Sequence, residues 1–184
     1  MSNGEDVQSI NQLLAERFGR IEAAVANAGS IAGLFEALLS GVENEFGVPF
    51  VWLTLLDDED NDAILSALQI SDMLKTRYSI ISPELMGELL PGGMKPVLAN
   101  EDVKPFFRLL PPSRKYFVRS IAVVPFALSG RRLGTWNNGD ADANRYAPDM
   151  KTDLLESVAR RISDKLTALV NGEFPQQCPG GLHG

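Results

Sequence analysis

The 184-residue chain has one cysteine, Cys178, and one histidine, His183, both near its C-terminal end. A single thiol forms no internal disulfide and no cysteine cluster for zinc. Without an imidazole in the folded body, a Ser-His-Asp or Cys-His triad, a haem held by a core histidine and a histidine-ligated metal are all excluded. Carboxylate-only chemistry stays open, yet no two acids are spaced to suggest a shared site. The expectation is a protein that is not an enzyme and uses no cofactor or metal. No apolar run reaches the roughly 18 to 20 residues that a membrane span needs, and the acidic N-terminus lacks the basic start of a secretion signal. Neither a membrane nor export is expected, which places the protein in the cytoplasm.

Positive charge is scarce in the first part of the chain and negative charge is absent from a later stretch. The net charge of -7 argues against nucleic-acid binding, which needs a concentrated basic face to neutralise phosphates. Residues 1–70 hold twelve acids and two bases, whereas residues 103–139 hold seven bases and no acid. Those bases are Lys104, Arg108, Arg114, Lys115, Arg119, Arg131 and Arg132. They either face an anion, or pair with the acidic loop DDEDND at 57–62 and with solvent.

What is present is strong helical and strand periodicity. Val7, Ile10, Leu14, Phe18, Ile21, Val25 and Ala28 recur at spacings of three and four, a single helical stripe that Asp6 can cap and Gly29 can end. The stripe is narrow and nearly heptad, suited to packing on the domain or to pairing with a second copy. Ser30 opens a second helix that Gly47 closes. VPFVWLTLL (48–56) reads as a strand buried on both faces. AILSALQI (63–70) fits a strand or a helix start, and residues 71–112 read as mixed helix and loop around PELMGELL (83–90) and MKPVLAN (94–100).

VRSIAVVPFAL (118–128), a turn at Ser129-Gly130-Arg131 and RRLGTWNN (131–138) form a hairpin in which Gly134 permits close backbone approach. After a polar loop at 140–146, Pro148 fits the first turn of a last helix, with Asp149 and Asp153 near its positive end and Ala147 as a poor cap. That helix carries Met150, Leu154, Leu155, Val158, Ile162, Leu166 and Leu169 and is expected to stop near Asn171-Gly172. The chain divides into an N-terminal helix with dimerising potential (1–29), one α/β domain (30–171) and a disordered tail (172–184). At this length one domain is expected, burying about 70% of its unfolded surface.

Two helices, a buried strand, a variable middle, a hairpin and a closing helix follow the order of a GAF domain. SIAVVPFALSGRRLGTWNNGD and RYAPDMKTDLLESVARRISDKL resemble the GAF pattern of an apolar strand ending in Pro-apolar, a short turn, a Leu-Gly strand and aromatic-x-Pro-Asp before the last helix. With MKPVLANEDVKPFF, the chain resembles most narrowly an uncharacterised bacterial family of GAF-like domains of unknown function. The resemblance implies an α+β fold, with a central antiparallel sheet, the N- and C-terminal helices packed on one face and a ligand pocket on the other. It also implies a sensory or regulatory role. No core cysteine can attach a bilin, and the cysteine set of GAF-type methionine sulfoxide reductases is missing. The Asn-Lys-x-Phe-Asp signature of cyclic-nucleotide binders is not reproduced, since Gly139 follows Asn137-Asn138.

The residues for such a ligand site are Trp52 and Trp136, able to stack on a planar group, and Arg77, Arg108 and Arg119, able to clamp a carboxylate or phosphate. Tyr78 and Asn138 add polar contacts. Ser120 and Ala122, small and alternating, leave room over one sheet face, while Ile121 and Val123 on the other suit helix packing. For each the bland alternative is core packing, solvation or turn formation. Two functions follow: a dimeric sensor of a small, anionic ligand, or a dimerisation and protein-interaction scaffold without a working pocket. Either works as a homodimer through the terminal helices, with an unidentified partner protein supplying the output.

Overall fold

In the computed structural model the described residues are 2–110 and 117–182, with side chains described for 6–110 and 117–172. Ten helices and strands follow in chain order: α1 (Ser2–Ala26), α2 (Ile31–Phe46), β1 (Phe50–Leu56), α3 (Asp62–Ile70), β2 (Tyr78–Ile81), α4 (Pro83–Leu89), β3 (Val97–Ala99), β4 (Ser120–Leu128), β5 (Arg131–Asp140) and α5 (Asp153–Leu182). Short 3-10 helices lie at Glu59–Asn61 and Lys104–Leu109.

Local chemistry sets several of these boundaries. The Ser30 hydroxyl accepts from the Gly33 amide at 3.0 Å, a helix cap worth about 1 kcal/mol. Gly47 takes the left-handed conformation that ends α2, φ 62°, and donates to the Glu43 carbonyl at 2.9 Å. Between β4 and β5, Ser129 (φ 52°) and Gly130 (φ 81°) both have positive φ, the pair a two-residue type I′ hairpin turn requires.

The strands form one sheet in the order β2-β1-β5-β4-β3. β5 is central, pairing antiparallel with β1 through Leu53–Trp136 and with β4 through Val124–Trp136. The edge pair β1–β2 is parallel, so the sheet is mixed where an antiparallel one is expected. Gly134 lies at the crowded centre: a Cβ there would come within 2.7 Å of both the Phe126 ring and the Thr54 carbonyl oxygen.

Alternation puts Leu53, Leu55, Trp136, Val124, Phe126, Ala122 and Ser120 on one face. This is the helix side. Phe35 of α2 meets Phe126 with ring centroids 5.5 Å apart, and Ser163 of α5 accepts from the Ala127 amide at 2.8 Å. The small-residue argument is therefore corrected: Ser120 and Ala122 face the helices, while Val123 and Ile121 face the other way.

That other face is roofed rather than open. The Leu109 carbonyl, at the end of the 3-10 helix, accepts from Trp52 Nε1 at 2.6 Å, Ser79 Oγ at 2.6 Å and Thr54 Oγ1 at 3.3 Å. Beneath it Thr135 Oγ1 donates to Asn137 Oδ1 at 2.8 Å, and Asn137 Nδ2 donates to Thr54 Oγ1 at 2.9 Å. All of these side chains except Ser79 are fully or nearly fully buried. The bonds from Trp52 and Thr54 satisfy buried donors that would otherwise each cost about 1–3 kcal/mol.

Four expected boundaries move. Asp6 lies inside α1, which starts at Ser2, and Gly29 has no positive φ because α1 already ends at Ala26. The segment at 63–70 is helical. α5 starts at Asp153, not beside Pro148: the Met150 amide closes a turn on the Ala147 carbonyl at 3.0 Å, and Thr152 accepts the first helical bond from Glu156 at 2.8 Å. At its other end α5 continues through Gly172 to Leu182, where a disordered tail is expected; an interior glycine costs about 1 kcal/mol but does not by itself stop a helix.

Candidate functional site

The roofed face removes the place where the sequence puts a pocket, and the nine candidate residues do not converge. Trp52 is buried under the roof. Arg77 is structural, donating to the Val51 carbonyl at 2.8 Å and to Glu43 at 2.7 Å. Tyr78 is half-buried on the edge strand β2, and Arg108 and Arg119 are exposed. Ser120 donates to the Asp142 carbonyl at 2.7 Å, and Ala122 is fully buried. Of the other bases, Arg131 bridges Asp58 and Asp60 of the acidic loop, and Arg132 donates to the carbonyls of Leu90 and Gly93. Arg114 and Lys115 lie outside the described residues.

Of the nine, Trp136 and Asn138 line one cavity together, on the helix side of the sheet. Its volume is about 300 Å³. Leu14 and Phe18 of α1 form one wall, Val42 and Phe46 of α2 with Val48 a second, and Leu98, Trp136 and Asn138 the sheet floor. The segment between β5 and α5 closes it with Arg145, Tyr146, Met150 and Lys151, followed by Leu154 and Leu155. The Phe18 and Phe46 rings meet tilted at 44°, centroids 4.7 Å apart. No Asp or Glu is among the residues that line it.

Its polar groups are connected. Trp136 Nε1 donates to Asn138 Oδ1 at 2.7 Å, which leaves the Asn138 NH2 group as a donor. Arg145 is fixed by Asp140 at 2.9 Å and by the Phe46 carbonyl at 3.1 Å. Burial pushes the Tyr146 phenol up to about 12; Arg145 and a hydrogen bond with Asn138 pull the other way. Lys151 is exposed and pairs with no carboxylate among the described residues.

The sequence hides most of this site. Phe18 and Phe46 belong to helical stripes that read as core, and Tyr146 sits in a loop. Lys151 is hidden by the expected helix start at Pro148. The one local signal is an aromatic residue placed among polar ones at 140–146. A wider surface groove of about 570 Å³ between α3 and the ends of α2 and α5 is floored by Ala32, Ala67 and Ala168 and brings no charged group together.

Among the described residues no group of three or more His, Cys, Asp or Glu side chains is placed to hold a metal ion, and no helix is long and apolar enough to cross a membrane. No family model matches the chain, and no curated protein matches it.

Proposed function

We propose that the chain is a non-catalytic, GAF-like regulatory module that acts as a homodimer through the first half of α1. Support for the GAF-like part comes from the strand order β2-β1-β5-β4-β3, with α1, α2 and α5 sharing one side. The observation that carries the dimer is the split of a single stripe. Phe18, Ile21 and Val25 pack on the domain, whereas Val7 and Ile10 of the same stripe are 56% and 57% exposed, with Leu13 beside them at 45%. Apolar side chains recurring along a free helix face stabilise little until something covers them.

A second copy of α1 fits that face by charge. Asp6 stands at one end of the exposed stripe and Arg17 and Arg20 at the other. An antiparallel crossing about a two-fold axis sets acid against base at both ends. Arg20 already meets Glu45 at 2.8 Å, while Arg17 lies over the Phe46 ring at 6.0 Å and forms no ion pair among the described residues, so a partner's carboxylate can reach it. The roof over the opposite face leaves the helix-side cavity, walled by the same helix, as the place for a small ligand. Sedimentation equilibrium of the full chain tests the reading: a dimer at tens of micromolar that Ile10→Asp converts to a folded monomer is expected. A wild-type monomer at that concentration overturns it.

A further inference from the structure

We infer that the helix-side cavity binds an apolar molecule carrying a single carboxylate. The body of the ligand lies between Phe18, Phe46 and Trp136, and its head is held at the end where Tyr146 and Lys151 stand. The inference names the ligand of the regulatory reading and rests on it for its purpose. The binding itself does not depend on the dimer.

Size comes first. An apolar cavity of about 150 Å³ takes up a benzene ring, so 300 Å³ accepts a body about twice as large, a fused pair of rings or a chain of about ten carbons. This is also the lower end of the range for small-molecule sites, about 300–1,000 Å³. Its walls come from three helices and the sheet, and aromatic rings on two of them offer flat contact surfaces to a ring or an extended chain.

Charge selects the head. In a chain of net charge -7, this cavity is lined by two cations, Arg145 and Lys151, and by no Asp or Glu. Asp140 neutralises Arg145 at 2.9 Å and also accepts from the Asp142 amide at 2.9 Å, which leaves Lys151 as the lining cation for a ligand. Lys151 keeps its charge uncommitted at the mouth. Deeper in, Trp136 donates to Asn138 at 2.7 Å, and the Asn138 amide and the Tyr146 phenol both line the cavity. The Tyr146 hydroxyl can donate to an acceptor in the cavity. Held neutral well above neutral pH, the phenol is a permanent donor, and a carboxylate oxygen is the acceptor that also meets the Lys151 ammonium. A neutral alcohol satisfies Tyr146 but not Lys151, and a short acid such as acetate leaves the apolar walls bare.

The test uses the full chain with decanoate, 2-naphthoate, decanol and acetate, followed by titration calorimetry and thermal shift. Decanoate and 2-naphthoate are expected to bind saturably and raise the melting temperature, with decanol weaker by roughly tenfold and acetate inert. Lys151→Glu, at an exposed position, is expected to weaken both carboxylates by roughly tenfold and leave decanol unchanged. Leu154→Trp fills the cavity and is expected to abolish all binding. The Ile10→Asp chain is titrated in parallel: binding that survives in a monomer separates this site from the dimer. The inference is overturned if neither carboxylate binds folded wild-type protein below about 1 mM. Binding that ignores Lys151→Glu, or binding that a folded Leu154→Trp chain retains, overturns it equally.

Discussion

The indole nitrogen of Trp52 donates to the backbone carbonyl of Leu109 across 2.6 Å, tying β1 to a residue 57 positions later in the chain. This bond fixes the roof over the helix-free face. Trp52→Phe removes the donor while Ser79 and Thr54 still reach the same oxygen, so no acceptor is orphaned. The expected cost is about 1–2 kcal/mol in urea denaturation, with faster amide exchange confined to residues 104–109. Exchange spread evenly over the molecule would mean that the roof is held by something else.

Gly134→Ala is expected to cost more. Its new methyl would stand 2.7 Å from the Phe126 ring and from the Thr54 carbonyl oxygen, and the backbone atom cannot turn aside. Overpacking of this kind costs about 1–3 kcal/mol, and this position belongs at the top of that range. Chemical denaturation measures it; a neutral substitution would show that β1 and β5 separate easily.

At the hairpin turn the sign reverses. Ser129 holds φ 52°, a conformation that costs an ordinary residue about 1–2 kcal/mol and asparagine less. Ser129→Asn creates the favoured Asn-Gly type I′ pair. A gain of about 0.5–1 kcal/mol in the denaturation midpoint is expected, since the Ser129 bond to Thr167 comes from the backbone amide and is kept.

The orientation of the α1 pair is open to a charge swap. Arg17→Glu is expected to weaken the dimer several-fold by setting like charges together, and Asp6→Lys on the same chain is expected to restore it. Sedimentation of both single variants and the double reads the coupling. Equal, additive losses would argue for parallel helices or no pairing at all.

Tyr146 gives the pH dependence. Its folded-state pKa, about 12, lies above the ordinary phenol value of 10.0. The folded chain therefore holds the proton more tightly than the unfolded chain. The associated stability is complete below about pH 10 and is lost as pH rises towards 12. Spectrophotometric titration should show a late phenolate step that is missing in Tyr146→Phe, and that variant should lose less stability over the same window.

Much of the fold is legible because its signals are local. The spacing of Leu34, Leu38 and Val42, the Ser30 cap, the Gly47 exit and the Ser129-Gly130 turn each specify a structure within a few residues. The free face was not legible. Its cover is the carbonyl of Leu109, and a backbone oxygen leaves no mark in a sequence; only Trp52, Thr54 and Ser79, three donors on neighbouring strands, hint that an acceptor must lie above them. For the same reason Ser120 and Ala122 misled: alternation sorts residues into two faces but does not say which face meets helices. The cavity was missed because its polar end depends on where α5 begins. A helix from Pro148 would carry Met150 and Lys151 around its barrel, whereas a turn closed at Met150 leaves them at the mouth.

The central pairing of β1 with β5 also matters during synthesis. About 75 residues separate the end of one strand from the start of the other. At about 5–20 residues per second, β1 leaves the ribosome roughly 4–15 s before its antiparallel neighbour exists. Its run VWLTLL is apolar on both sides and rich in β-formers. For those seconds α2, the parallel edge strand β2 and the segment ending at Leu109 cover it without its central partner, so a nascent chain stalled before residue 131 should depend on chaperones that the finished protein does not need.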